Sequence, residues 1–259
     1  MEAILNVKQL DLAWSTQPVQ TDLNFEVQPG EVLVIMGASG SGKSTLLRHL
    51  VGLQPPLKGS IWLHGVNLYQ AEDAVLDALR HRFGVMFQGG ALWISLTVGD
   101  NLMLPLRLFA PDTEQAMVQA ARFKLALVGL HDCFDALPAT LSGGMRKRVA
   151  MARSLMLNPD LLYLDEPSAG LDPINARRMD DLILALRDNL GTTVVMVTHT
   201  VDSIFAVADR ALFLDEQLKT MTALDSPLML LRHDPFWTPW ASPTGCSTWS
   251  FFMMPRTTR

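Results

Sequence analysis

Cysteine is scarce in this 259-residue chain: Cys133 and Cys246 are the only two, far apart and without metal-ligand spacing. That excludes the disulfide framework of a small secreted domain and reads as reduced thiols, a usage typical of the cytosol. Long apolar runs are missing too. Each hydrophobic stretch meets a charge, Gly or Pro before the roughly 20 residues that a spanning helix needs, so a membrane role is expected to come through a partner. Nor is positive charge in excess. With 21 Lys and Arg against 26 Asp and Glu, the formal charge of −5 speaks against broad, charge-driven binding of nucleic acid. There is no internal repeat and no low-complexity tract. The opening MEAILNVKQLDLAW, with Glu2 early and apolar residues alternating, reads as a strand and not as an export signal.

The apolar content suffices for a sizeable core: 49% of residues are apolar, and one domain with an attached subdomain is the simplest organisation. Residues 4–14 and 21–27 read as strands, closed off by the turn Gln28-Pro29-Gly30, which predicts an antiparallel opening sheet. Residues 31–36 form a short apolar run ending at a Gly-rich loop. Residues 43–51 come next, with Leu46, Leu47 and Leu50 at helical spacing. Residues 161–164 and 193–197 have the composition of parallel strands buried on both faces. Between Gln88 and Asn158 strand signals fade. One helix is predicted to open at Asp112-Thr113-Glu114 and run to Val128, and another to span 144–157, as a helical insertion.

Gly37-Ala38-Ser39-Gly40-Ser41-Gly42-Lys43-Ser44-Thr45 fits G-x-x-x-x-G-K-[ST] and lies between a strand and a helix, as a phosphate-binding loop requires. Glycines let successive N–H groups face inward, and the helix N-terminus adds partial positive charge. Lys43 is placed to reach the β- and γ-phosphates of ATP, and Ser44 to offer a hydroxyl to Mg²⁺. Downstream, Leu161-Leu162-Tyr163-Leu164-Asp165-Glu166-Pro167 puts two carboxylates at the C-terminal end of a buried strand, where α/β sheets present ligands. Asp165 is expected to hold Mg²⁺ and Glu166 to polarise the attacking water. Taken alone, an Asp-Glu at a strand end is more often a solvated pair or a helix cap than a catalytic pair; the phosphate loop upstream gives it its functional reading.

Leu141-Ser142-Gly143-Gly144-Met145, followed by a helix from Arg146, resembles the signature motif of ABC ATPases. Other motifs of that family accompany it in order. Phe87-Gln88 resembles the Q-loop, with Gln88 a Mg²⁺ and water contact; Ser168-Ala169-Gly170-Leu171-Asp172 resembles the D-loop, and Thr198-His199 the switch histidine. Trp14 falls where the family places an aromatic that stacks on adenine, although a core or edge-strand Trp is also compatible with the residues around it. The resemblance implies an α/β fold: a phosphate-loop NTPase core with a mostly parallel sheet, an antiparallel β subdomain and an inserted α-helical subdomain at about 89–158, within an ABC ATP-binding domain of residues 1–231. It also implies ATP and Mg²⁺ as ligands and a second copy of the chain as partner. Each copy's Ser142, Gly143, Gly144 and Met145 would then complete the other's site.

Closer resemblance is to the Mla/Mce-type phospholipid transport ATPases. It rests on Gly84-Val85-Met86-Phe87-Gln88-Gly89-Gly90-Ala91-Leu92-Trp93, Leu96-Thr97-Val98, Asn101 and Pro105-Leu106-Arg107, with Met145 where Gln is commonest, Pro173-Ile174 after the D-loop, and Ser203-Ile204-Phe205. It implies an integral membrane permease and an Mce-domain lipid-binding protein as partners, phospholipid as cargo, and a peripheral position on the cytoplasmic face of the inner membrane. Ala91, Leu92 and Trp93 are compatible with either subdomain core or a groove that receives the permease. An ABC ATPase for another cargo is the nearest alternative. A soluble ribosome- or DNA-directed ABC protein is disfavoured, because the chain has a single cassette and no long coiled coil. From 232 to 259 the chain carries three of its six tryptophans among Pro and Gly without a period, and reads as an atypical, irregular tail.

Overall fold

Along the described chain, strand and helix alternate as the apolar pattern dictates. The structure, a computed structural model, describes residues 2–14 and 17–232, and the expectations for the tail from 233 onward lie outside the described residues. β1 (Leu5–Trp14) and β2 (Gln17–Val27) form a hairpin, and β3 (Val32–Gly37) runs into α1 (Lys43–Leu50). β4 (Lys58–Leu63) and β5 (Val66–Asn67) rejoin the hairpin, and α2 (Asp73–Arg80) leads to β6 (Phe83–Met86). Three helices then succeed one another with no strand between them: α3 (Val98–Phe109), α4 (Glu114–Leu127) and α5 (Gly143–Ser154). β7 (Leu161–Asp165), α6 (Pro173–Leu190), β8 (Thr193–Val197), α7 (Val201–Val207), β9 (Arg210–Asp215), β10 (Thr220–Asp225) and α8 (Pro227–Arg232) complete the described residues.

Two sheets result. One is antiparallel, in the order β2-β1-β4-β5; the other has six strands in the order β10-β9-β3-β8-β7-β6, parallel except for β10. This is the mostly parallel α/β architecture with an antiparallel sheet and inserted helices that the family resemblance implied. The second strand begins at Gln17 and not at Thr21, because Gln17 and Pro18 pair with Trp14 and Ala13 at the hairpin end. Proline is tolerated there, at the start of an edge strand. The helix expected over 144–157 stops at Ser154, where Leu155 and Asn158 turn the chain into β7.

The parallel sheet divides the interior by its period of two. Val32, Val34 and Met36 of β3, Leu162 and Leu164 of β7, and Val194 and Met196 of β8 face the helices. Leu33, Ile35, Leu161, Tyr163, Val195 and Val197 face α1 and the antiparallel sheet. A slip of one residue in any of these strands would exchange the two cores, so register is firmly set. Gly84 is required where β6 meets the end of α5, since a Cβ there would lie 2.1 Å from the Ser154 carbonyl oxygen.

Candidate functional site

The three strands that carry the chemistry are neighbours. β3, β8 and β7 lie side by side, so the loop after Gly37, the Thr198-His199 pair and the Asp165-Glu166 pair leave the sheet at one rim. Here the phosphate loop curls onto the start of α1. Gly40 and Gly42 adopt left-handed backbone (φ 87° and 93°), which side chains disfavour. At Gly42 a Cβ would also lie 2.5 Å from Val19 Cγ1. Lys43 folds back over the loop, its Nζ donating to the carbonyls of Gly37 at 2.9 Å and Ala38 at 2.7 Å. Burial pulls the Lys43 ammonium below its usual value, while Glu166, Asp165 and Glu216 push the other way.

Ser44 Oγ donates to Asp165 Oδ1 at 3.3 Å. Burial raises the Asp165 carboxyl above its ordinary range and Glu166 adds to the rise, against the Ser44 hydrogen bond and the charges of Arg48 and Lys43. Two hard oxygen donors side by side at the loop suit a magnesium ion that keeps water and phosphate as its other ligands. Glu166 is 6% exposed and holds left-handed backbone (φ 51°), a conformation that costs a non-glycine residue of order 1–3 kcal/mol and concentrates at functional sites. Its Oε1 lies 2.6 Å from His199 Nδ1, and its Oε2 accepts from Thr198 Oγ1 at 3.3 Å.

A cleft of about 720 Å³ opens over this loop, with Gln88, Glu166 and His199 on its walls beside Ala38, Ser39, Gly40 and the run from Gly42 to Thr45. Trp14 stands at the same cleft, 56% exposed, with the Arg48 guanidinium 4.9 Å from its ring centroid. It is therefore not part of the core. Asp165 is reached through Ser44 and does not itself line the cleft. Ser41 is buried under the loop, and its carbonyl accepts from Gln20 Nε2 at 2.8 Å.

Two groups of sequence-derived residues lie elsewhere on the same chain. Ser142 caps α5, accepting from the Met145 N–H at 3.2 Å, and both Ser142 and Gly143 are exposed. Gly144 packs against Leu171 and Asn175. None of Ser142, Gly143, Gly144 and Met145 borders the cleft. Asp172 caps α6 by accepting from the N–H groups of Ile174 and Asn175, and the Asn175 side chain with these backbone donors holds its carboxyl below the ordinary range.

Sequence reasoning missed Val19 and Gln20. The fully buried Gln20 ties the antiparallel sheet to the loop and, through Asp215 O at 2.9 Å, to β9. The signal was a glutamine in the inward-facing set of a strand, recognisable only once the register is known. Asn101 has a clearer role than its sequence suggested: buried in α3, it accepts from the Trp93 N–H and donates to the carbonyls of Trp93, Leu96 and Thr97, and so fixes the loop after Gln88. On that loop Trp93 is 60% and Ile94 77% exposed, whereas Leu92 packs against the helical core.

A family model described as ABC transporter matches residues 20–169. A probable ribonucleotide transport ATP-binding protein of Mycobacterium leprae is 36% identical over 209 residues, covering 81% of this chain and 60% of that protein. The chain thus spans about three fifths of that relative's length. An intermembrane phospholipid transport system ATP-binding protein of Haemophilus influenzae is 35% identical over 214 residues, 83% of this chain and 81% of that one. Among solved structures, a dimeric ATP-binding cassette in a post-hydrolysis state with ADP and Pi superposes with a TM-score of 0.78 at 27% identity, covering 86% of this chain and 98% of the other.

Proposed function

The chain belongs to the ABC transporter family, and from that premise we propose that it binds ATP across the cleft and hydrolyses it to drive a separate membrane permease. The observation that carries this is the meeting of Lys43, Glu166 and His199 at one cleft while Ser142 and Gly143 stand exposed outside it. Loop N–H groups and Lys43 would hold the phosphates, exchanging the carbonyls of Gly37 and Ala38 for phosphate oxygens. Trp14 offers its face to adenine. Mg²⁺, held by Ser44, Asp165 and Gln88, would supply charge neutralisation at the phosphates. Glu166 orients and deprotonates the attacking water, His199 positions the γ-phosphate, the new bond forms from water oxygen to phosphorus, and the bond to ADP breaks.

A site whose signature residues lie outside its own cleft needs a second copy to supply them. Two copies facing each other would each lend Ser142, Gly143 and Gly144, at a helix N-terminus, to the other's γ-phosphate. Asp172, at the start of α6, would help set their approach. No helix among the described residues is long and apolar enough to cross a membrane, and the exposed Trp93 and Ile94, braced by Asn101, offer an apolar surface for a permease. For cargo we favour phospholipid, with an Mce-domain protein beyond the permease at the inner membrane. The support is the residue pattern of 84–107 and a phospholipid transport relative that the chain matches over most of both lengths.

The decisive test of the ATPase is Glu166→Gln. Nucleotide binding should persist, turnover should fall at least about 100-fold, and ATP should drive the variant into stable dimers on size-exclusion chromatography. Parental steady-state hydrolysis would remove Glu166 from the mechanism.

A further inference from the structure

Lys147 occupies an unusual position for a lysine on a helix. It lies one turn into α5, past the cap Ser142, and it is half-buried, whereas its neighbour Arg146 is exposed. Its Nζ donates to the carbonyl of Glu166 at 2.9 Å and to that of Ala169 at 2.5 Å. Neither acceptor is a carboxylate, so the ammonium serves as a fixed fork of donors and not as half of an ion pair. Burial lowers its proton affinity, and the nearby Glu166 charge restores part of it.

The two carbonyls bracket the segment that begins at Glu166, and Glu166 is the residue held in left-handed backbone. Its N–H donates to Val197 O at 2.9 Å, which anchors the residue to β8. Its carbonyl accepts from the Ala169 N–H at 3.3 Å and from Lys147 of α5. Farther along, the buried Ser168 hydroxyl lies 3.3 Å from that of Ser203. The turn carrying the carboxylate is thus held by the central sheet on one side and by the helix that displays Ser142 and Gly143 on the other.

We infer that Lys147 is a positioning residue that fixes the Glu166 backbone to the signature helix, so that engagement of Ser142 and Gly143 is transmitted to the carboxylate of the same chain. The inference rests on the ATPase reading above. In a pair of copies Ser142 completes one site and Glu166 serves the other, which makes Lys147 a link between the two sites. Removing the link leaves both sites chemically complete but loosens the aim of the carboxylate on its water.

Lys147→Met keeps the length of the stem and removes the donors. Measured as steady-state hydrolysis, its kcat should fall about 10- to 100-fold, as expected for a small misplacement of a catalytic group, with KM for ATP changed less than about twofold. The Hill coefficient in ATP should fall toward one. The thermal midpoint should stay within about 3 °C of the parent, and Lys147→Arg, which restores donors on a long stem, should recover most of kcat. If Lys147→Met does not fold, Lys147→Leu, which also lacks donors, is judged on the same readouts. A parental kcat and Hill coefficient in the donor-free variant overturns the inference, as does a loss that Arg does not rescue. Glu166→Gln assayed alongside separates the two readings: if it abolishes turnover while Lys147→Met is parental, only the link fails; if it hydrolyses like the parent, Glu166 leaves the mechanism and the link falls with it; and if the parent itself hydrolyses no ATP, the ATPase reading fails.

Discussion

Asp180 is a buried acid with an incomplete set of partners, and replacing it by Asn should stabilise the protein at neutral pH. The residue lies in α6, 4% exposed. One oxygen, Oδ2, accepts from Ser203 Oγ at 3.0 Å, while Oδ1 has no partner. Burial pushes the carboxyl up from 3.8 to about 6; Ser203 and Arg177 oppose the rise, and Asp181 and Asp202 add to it. Between those two values the unfolded chain releases its proton while the folded chain keeps it, so stability falls as pH rises through the window and the loss is complete above about 6. At about 1.4 kcal/mol for each tenfold change in proton affinity, the ionised folded state bears a cost of about 3 kcal/mol. Asn keeps an acceptor for Ser203 but leaves an amide N–H₂ in place of Oδ1, which returns about 1–2 kcal/mol of that gain. The net expectation at pH 7.5 is about 1–2 kcal/mol, a rise of roughly 2–8 °C in thermal midpoint for a domain of this size. Circular-dichroism melts of parent and Asp180→Asn at matched ionic strength, from pH 4.5 to 8, measure it. The advantage should vanish toward pH 4.5. A difference that does not vary with pH, or an Asn variant less stable at pH 7.5, refutes the reasoning.

Trp14→Ala should raise KM for ATP about 10-fold through loss of aromatic stacking and leave kcat near parental, with Trp14→Phe intermediate, as read from initial rates against ATP concentration; an unchanged KM in the Ala variant removes Trp14 from adenine binding. For cargo, the tagged chain pulled from detergent-solubilised membranes and analysed by mass spectrometry should bring down a permease together with an Mce-domain protein. A permease accompanied by a solute-binding protein instead would overturn the phospholipid reading and keep the ATPase.

Much of the candidate site was legible because its parts are short and contiguous. The phosphate loop, the Asp165-Glu166 pair and Thr198-His199 each come after an apolar strand of distinctive composition, and each stands at the same rim of one sheet. The parts that escaped the sequence depend on contacts between distant segments. Gln20 lies 195 residues from Asp215, whose carbonyl it binds, and Lys147 reads as one more cation in a basic helix start until its acceptors are seen. For Trp14 exposure removes the core reading and leaves the adenine contact to the KM test. The limits of β2 and α5 differ from expectation where Pro18 continues a strand and where an apolar run outlasts its helix. Both are cases in which tertiary context overrides local preference.

The parallel sheet has a second rim, and it bears on how such a chain can vary. At that end Gln28-Pro29-Gly30, Arg82, Asp160 and Leu190-Gly191-Thr192 connect the strands, with Arg82 and His64 gathered on Asp160. An added Cβ at Gly30 or Gly191 would meet nothing within 4 Å. One edge of the molecule carries the candidate site, while the other carries connections that turn the chain around. Lengthening a connection there moves no reacting atom, and a lineage of such proteins has that edge on which to lengthen, decorate or fuse its loops without touching the machinery across the sheet.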